Sequence, residues 1–194
     1  MSVGNGMSDE GFFNEYLDHL SEVLRPHDLY SWLSDAKARV EATRDAGGRL
    51  LFAGNGASAS IASHYALDFT KQGGVRSLCF NDAALITAYA NDYGYERWVA
   101  RALEHHGDEG DVAVLISSSG RSPNILQAAQ LAGDRGIHVI SLTGFEPTNA
   151  LREASDIGLW VESRSYNVIE AVHAVWLGLL CDMIIGAREY SVTG

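Results

Sequence analysis

Two loops of this sequence carry residue types that can bind an anion. The first, AGNGASAS at 53–60, contains Gly54 and Gly56 for a tight turn and Ser58 to cap the helix that follows. The second, ISSSGRSPN at 116–124, places four serines within six residues just before another helical segment. Hydroxyls and free backbone amides at the start of a helix donate hydrogen bonds to phosphate. For the first loop alone, an ordinary turn with a helix cap is an equally good explanation, whereas the serine loop favours a phosphate site.

Neither loop has the pattern of a nucleotide-binding motif. The serine loop lacks the lysine of a Walker loop, and the glycine loop lacks the third glycine of a GxGxxG fingerprint. We therefore predict a phosphate monoester as the ligand and no nucleotide cofactor.

Two pairs of polar residues fall at spacings that place each pair on one face of a predicted helix. His64 and Asp68 are four residues apart, and Glu170 and His173 are three apart in an otherwise apolar segment. Each pair can be a simple ion pair or cap, but polar groups on largely buried helices are costly without a partner or a function. If the pairs converge, they offer a carboxylate base, an imidazole that relays a proton, and ligands for a divalent metal.

The elements that must position these residues alternate between two patterns. Short apolar runs at 50–54, 77–80, 112–116, 138–142 and 156–161 predict strands, and segments with helical spacing separate them at 59–70, 83–105, 122–135, 148–154 and 167–187. Such alternation predicts an α/β fold with a doubly wound, parallel five-stranded sheet flanked by helices. Ligands of such sheets bind at the carboxyl ends of the strands, where both loops fall.

The N-terminal part of the chain has helical spacing of its own. Apolar residues recur with a helical period from about residue 8 to residue 46, and the break at Arg25-Pro26-His27 predicts two helices. We expect these helices to pack on the same core or on a partner subunit, so that residues 1–46 and 47–194 form one structural domain overall.

Composition excludes several classes of protein. The chain of 194 residues has 14 Lys and Arg against 25 Asp and Glu, a net charge of −11 with no basic run, so neither nucleic acid nor an anionic membrane is expected as a partner. Cys79 and Cys181 lie in apolar stretches, which indicates reduced thiols and a cytoplasmic protein. Residues 1–10 show no signal peptide, and His173 and Asp182 interrupt the apolar stretch at 171–185, which predicts a buried helix rather than a membrane span.

Taken together, these motifs resemble the sugar isomerase (SIS) family, and within it the phosphoheptose isomerases, which interconvert sedoheptulose 7-phosphate and D-glycero-D-manno-heptose 7-phosphate. The resemblance rests on GNGAS at 54–58 followed by His64, AND at 90–92, the serine loop, LTG at 142–144 and the C-terminal helix with His173. It implies a Rossmann-like SIS phosphosugar-binding domain at 47–194 and an N-terminal helical segment at 1–46 that serves oligomerisation. It also implies a homotetramer with sites between subunits, and zinc in several members.

The resemblance assigns roles to individual positions. It implies that the phosphosugar is bound by Asn55, Gly56, Ala57, Ser58, Asn91, Asp92, Ser117, Ser118, Ser119 and Ser122. We predict Asp68 as the catalytic base and His173 as its acid/base partner. The predicted ligands of zinc or another divalent metal are His64, Asp68, Glu170 and His173.

The chain departs from the family at several of these positions. Asp68 stands where the heptose enzymes have glutamate, and a displacement of about 1 Å can cost about 100-fold in rate if nothing compensates. Glu170 replaces a glutamine, Gly178 a second catalytic histidine, and Gln72 a sugar-contacting arginine. The leading interpretation is an aldose–ketose isomerase of a sugar phosphate, most simply sedoheptulose 7-phosphate. The alternatives are a non-catalytic, phosphosugar-binding regulator, which Asp68 and Gly178 favour, and an isomerase of another sugar phosphate such as a hexulose phosphate.

Overall fold

The structure, a computed structural model, describes residues 8–191 and contains one sheet of five strands with helices on both faces. The strands are β1 Leu50–Gly54, β2 Ser77–Cys79, β3 Val112–Ser117, β4 His138–Thr143 and β5 Ile157–Trp160. All neighbouring strands are parallel, in the order β2-β1-β3-β4-β5. The predicted doubly wound α/β fold is therefore confirmed, and each predicted apolar run corresponds to a strand.

The helices within the described residues follow the chain order of the strands. They are α1 Asp9–Val23, α2 Leu29–Asp45, α3 Ala57–Lys71, α4 Ala83–Tyr93, α5 Trp98–His106, α6 Pro123–Asp134, α7 Ala150–Glu153 and α8 Tyr166–Ile185. Every residue of β1 and β3 is buried, because helices cover both faces of the sheet. Leu50 and Phe52 pack on the side of α2, α3 and α8, whereas Leu51 and Ala53 pack on the side of α5 and α6.

The two N-terminal helices differ in how they meet the core. The predicted break is seen, since α1 ends at Val23 and α2 begins at Leu29. Helix α2 buries Leu33, Ala36 and Val40 in the core shared with α8. Helix α1 has one buried residue, Val23, and its apolar side chains at positions 12, 13 and 17 are exposed. The second helix thus belongs to the core of this chain, and the first presents an apolar face.

The segment predicted as helical over 83–105 contains two helices rather than one. Gly94 ends α4 with a φ of +86°, a left-handed conformation that a continuing helix does not allow. Helix α5 then buries Trp98, Val99 and two further residues, whereas no residue of α4 is buried. The apolar pattern continues across the break, so periodicity alone could not reveal it.

Helix α8 is the one helix among residues 8–191 that is long and apolar enough to cross a membrane by length and composition. It packs against α2 and α3 and contributes eight buried residues, including Val172 and Trp176, to the core. This packing is that of a core helix.

Candidate active site

The serine loop follows β3 at the carboxyl edge of the sheet. Ser117 and Ser118 are buried, and the hydroxyls of Ser117 and Ser122 lie 3.1 Å apart across the loop. Gly120 has a φ of +62°, and a Cβ at this position would lie 1.9 Å from Oδ1 of Asn149. The tight turn, which only glycine fits, leads directly into α6.

The glycine loop lies beside it, because β1 and β3 are paired and Gly54 is opposite Ile116. The amides of Asn55 and Asn124 bond reciprocally, at 3.0 and 2.9 Å. The Tyr95 hydroxyl also donates to Oδ1 of Asn55, at 3.1 Å. These bonds fasten the first loop to the helix that follows the second loop.

A pocket of about 130 Å³ lies between the two loops. Its lining residues are Asn55, Ser58, Ile116, Ser117, Ser118, Ser119, Ser122, Tyr166 and Glu170. The structure thus brings six of the predicted phosphosugar residues together, and Gly56 and Ala57 form the turn between two of them. The lining offers hydroxyls and amides and carries no cationic side chain, so an anion here would be held by hydrogen bonds and helix N-termini.

Glu170 gives this pocket an unexpected negative group. It faces the serines from the start of α8, and burial raises the pKa of its carboxyl group. A carboxylate in this position repels a bound dianion but accepts hydrogen bonds from sugar hydroxyls. Glu170 therefore lines the same pocket as the serines.

Asn91 and Asp92 lie outside this pocket. Both are exposed at the end of α4, where Asn91 donates to the Asp92 carboxylate at 2.9 Å. They belong to the last turn of α4, and within this chain the structure does not bring them to the serines. Tyr95, three residues further on, reaches the first loop instead.

His64 and Asp68 form the predicted pair on α3. The distance from Nε2 of His64 to Oδ2 of Asp68 is 3.3 Å, and the two side chains are 62% and 29% exposed. Neither lines the serine pocket. Asp68 lies ten residues after Ser58, which corresponds to about 15 Å along the helix axis. The carboxylate–imidazole pair and the serine pocket are therefore separate within one chain.

His173 is fully buried and does not line the serine pocket. Its Nε2 lies 3.1 Å from the Thr143 carbonyl oxygen, and Nδ1 has no hydrogen-bond partner within residues 8–191. Burial lowers the pKa of His173 to about 4, so the ring is neutral at pH 7. Within this chain, the ring is thus enclosed in the core and away from both Asp68 and the serine pocket.

The structure does not bring the four predicted metal ligands together within one chain. Within the described part of the chain, no group of three or more His, Cys, Asp or Glu side chains is placed to hold a metal ion. His64 and Asp68 are adjacent, whereas Glu170 faces the serines and His173 faces β4. Helix α8 packs on more than one side, so a three-residue spacing did not bring its two polar residues to one site. One chain supplies two neighbouring donors, which does not fit a four-coordinate zinc site.

Tyr65 occupies the space beside the position at which the resemblance places a second catalytic histidine. A Cβ on Gly178 would lie 3.0 Å from the Tyr65 hydroxyl oxygen. A larger residue at 178 would therefore displace the tyrosine. Cys181, one turn further along α8, has its pKa raised to about 11 by burial and by the nearby carboxylates of Asp68 and Asp182.

Sequence reasoning missed Tyr95, Asn124 and Tyr166. Asn124 follows the serines at the start of α6, and Tyr166 precedes Glu170 by one helical turn, so both have a positional signal. Tyr95 has none, because only the turn at Gly94 brings it back towards Asn55.

Comparison with known proteins agrees with this geometry. A phosphoheptose isomerase from Helicobacter pylori is 34% identical over 185 residues, which cover 92% of this chain and 96% of that protein. A phosphoheptose isomerase from Streptomyces coelicolor is 39% identical over 157 residues, covering 78% of this chain and 68% of that protein. The structure of phosphoheptose isomerase from Neisseria gonorrhoeae superposes with a TM-score of 0.82 at 28% identity, covering 92% of this chain and 97% of that one.

The family assignment rests on a family model and on these relatives. The model of the SIS domain matches residues 12–144, which is more than half of the chain. This segment contains strands β1 to β4 of the sheet and both loops of the pocket. The chain therefore belongs to the SIS domain family and is similar to its phosphoheptose isomerases.

Proposed function

We propose that this protein is an aldose–ketose isomerase that converts sedoheptulose 7-phosphate to D-glycero-D-manno-heptose 7-phosphate. The observation that carries the proposal is the serine-lined pocket at the carboxyl ends of β1 and β3. Relatives at 34% and 39% identity that are named phosphoheptose isomerase support the same activity.

The serine pocket is proposed to hold the phosphate. Hydroxyls from Ser117, Ser118, Ser119 and Ser122 line it, and the N-termini of α3 and α6 add backbone amides. Glu170 and Asn55 are proposed to bind sugar hydroxyls next to the phosphate. The phosphate thereby fixes one end of an open-chain sugar, so that carbons 1 and 2 are presented to a base.

Asp68 is proposed as that base, with His64 as its partner. Isomerisation requires removal of a proton from one of carbons 1 and 2, its return to the other, and movement of a proton between the two oxygens of the enediol. A carboxylate can carry the carbon-bound proton. The His64 imidazole lies 3.3 Å from Asp68 and is exposed, so it can exchange a proton with the enediol oxygens.

The active site is proposed to form between subunits. The separation of about 15 Å along α3 between Ser58 and Asp68 exceeds the length of a seven-carbon chain, whose six C–C bonds are about 1.5 Å each. A base from one chain acting on a sugar anchored in another removes this discrepancy. Exposed apolar side chains on α1 and α8, namely Phe12, Phe13, Leu17, Val175 and Leu179, are proposed to form contacts of a homotetramer. Residues 1–46 would then serve assembly, and residues 47–194 would hold the sugar.

The activity is tested by incubating the purified protein with sedoheptulose 7-phosphate and following aldose formation by NMR. Asp68→Ala should abolish turnover, whereas Asp134→Ala, a change at an exposed residue at the end of α6, should not. Turnover that persists in Asp68→Ala would contradict the assignment of the base.

The shared site is tested by mixing two inactive variants in one oligomer. Asp68→Ala keeps the serines, and a Ser118→Ala/Ser119→Ala double variant keeps the base. Co-expression should restore activity to about a quarter of the sites if base and anchor come from different chains. Mixed oligomers as inactive as either parent would show that both come from one chain.

A regulator that binds a phosphosugar without turnover is the second candidate, because Asp68 is short and Gly178 carries no side chain. It predicts that the wild-type protein is stabilised against heat by sedoheptulose 7-phosphate but produces no aldose. An isomerase of another sugar phosphate predicts turnover only within a wider panel of substrates, because Gln72 stands where the family contacts the sugar with arginine.

Zinc or another divalent metal ion is proposed only at a site between subunits, to which more than one chain contributes ligands. His64 and Asp68 would supply two donors, and another chain would have to supply the rest. Metal analysis tests this: about one ion per chain, lost in His64→Gln, is expected. We place the protein in the cytoplasm because Cys79 and Cys181 are both free thiols.

A further inference from the structure

Tyr65 lies between the His64–Asp68 pair and helix α8, and the isomerase scheme above gives it no role. Its ring meets the His64 ring edge to face, with centroids 4.9 Å apart and an interplanar angle of 67°. The opposite end of the side chain, the hydroxyl, reaches Gly178. Tyr65 therefore touches both the exposed imidazole and a fixed point on a core helix.

His64 needs such support because 62% of its side chain is exposed. An exposed imidazole exchanges between rotamers unless neighbouring groups hold it. One partner is the Asp68 carboxylate, one turn further along α3, and the other is the Tyr65 ring. The ring and the carboxylate together define where Nε2 of His64 points.

The hydroxyl of Tyr65 fits beside helix α8 because position 178 has no side chain. A Cβ there would lie 3.0 Å from the hydroxyl oxygen and 3.6 Å from Cε1 of the ring. The first distance is tighter than ordinary contact, whereas hydrogen at this position leaves the oxygen room beside the backbone. Helix α8 is anchored through buried Leu177 and Leu180, so this contact point is rigid.

We propose that Tyr65 is a positioning residue, which holds the His64 imidazole against Asp68, and that Gly178 permits this by leaving room for the Tyr65 hydroxyl. The proposal rests on the proposed isomerase function for its kinetic consequence. Its structural content, the coupling between positions 65 and 178 through His64, is independent of any activity.

The electrostatic surroundings of the phenol agree with a positioning role. Burial raises the pKa of Tyr65, the Asp68 carboxylate raises it further, and a hydrogen bond with the Gly178 backbone opposes this effect. The phenol therefore stays protonated at neutral pH. It acts as a packing and hydrogen-bonding group and does not compete with Asp68 as a base.

A double-mutant cycle tests the coupling. Tyr65→Phe removes the hydroxyl but keeps the ring, and Gly178→Ala adds the methyl group that would meet the hydroxyl. In the wild-type background, Gly178→Ala is expected to lower kcat about tenfold, with KM within about twofold. In the Tyr65→Phe background, the same change should alter kcat by less than about twofold, because the conflicting atom is gone.

Matched controls separate this effect from general damage. Gly133→Ala adds a methyl group to a helix where nothing lies within 4 Å, and Tyr30→Phe removes a hydroxyl from a side chain that is 79% exposed. Neither should change kcat. Equal losses of kcat for Gly178→Ala in both backgrounds would overturn the proposal, since the methyl group would then act without the hydroxyl.

An NMR measurement keeps the test valid if the wild-type protein converts no sugar phosphate, an outcome that would refute the proposed function alone. The ring protons of His64 feel the ring current of Tyr65 at 4.9 Å. Gly178→Ala should shift these signals, whereas the same change combined with Tyr65→Phe should leave them where Tyr65→Phe alone puts them. Unchanged signals in Gly178→Ala would overturn the proposal.

Discussion

Replacing Gly120 with alanine is expected to displace the serine loop, because the backbone and its surroundings both reject a side chain there. The residue has a φ of +62°, and a Cβ would lie 1.9 Å from Oδ1 of Asn149. Asn149 is 1% exposed and cannot move without losing bonds. Its amide donates to Thr143 at 3.0 Å and to Glu146 at 2.8 Å, and its Oδ1 accepts from the Arg152 backbone at 3.0 Å.

The magnitude follows from two costs. A left-handed conformation costs a residue other than glycine about 1–2 kcal/mol. Loss of two or three hydrogen bonds of Asn149 adds about 1 kcal/mol each, so Gly120→Ala should lower the free energy of unfolding by about 3–5 kcal/mol. Gly74 is the matched control, because its φ is +65° and a Cβ there meets nothing within 4 Å. Gly74→Ala should therefore lose only about 1–2 kcal/mol.

Urea unfolding followed by tryptophan fluorescence measures both values, at one protein concentration because an oligomer's stability depends on it. The difference between Gly120→Ala and Gly74→Ala isolates the contact with Asn149. Inorganic phosphate should also stabilise Gly74→Ala more than Gly120→Ala, since only the latter disturbs the serines. Equal losses of stability in the two variants would refute the reasoning, because Asn149 would then not hold the loop.

Three further changes probe the pocket and the core. Burial raises the pKa of Glu170, so the folded protein loses stability when this carboxyl group ionises as pH rises. Glutamine cannot ionise. Glu170→Gln should therefore gain stability relative to wild type as pH rises from 4 to 7, measured by thermal unfolding. The pKa of His173 is lowered to about 4, so wild-type stability should fall by up to about 3 kcal/mol as pH drops from 6.5 through 4, and His173→Leu should remove this loss and keep turnover. Tyr95→Phe removes the hydrogen bond to Asn55 and should raise KM for the sugar phosphate up to about tenfold, with kcat unchanged; an unchanged KM would show that this bond does not shape the pocket.

Local patterns in the sequence were sufficient to predict the strands, the helical segments and the two loops that line the pocket. Apolar runs identified all five strands, and Pro26 marked the break between the first two helices. The serines converge with Asn55 because the loops follow adjacent parallel strands, and the carboxyl ends of such strands always share one edge. Residue type, spacing and one rule of topology therefore determined this half of the site.

Only the tertiary structure decided what surrounds the polar side chains of the helices. His173 and Glu170 share a helix face by spacing, yet one is enclosed against β4 and the other faces the serines, because α8 is surrounded by neighbours on several sides. The contact of Tyr65 with Gly178 joins residues on two helices that are far apart in the sequence. The spacing of residues predicts which side chains share one face of a helix. Which groups these side chains contact depends on the helices and strands that pack against that helix.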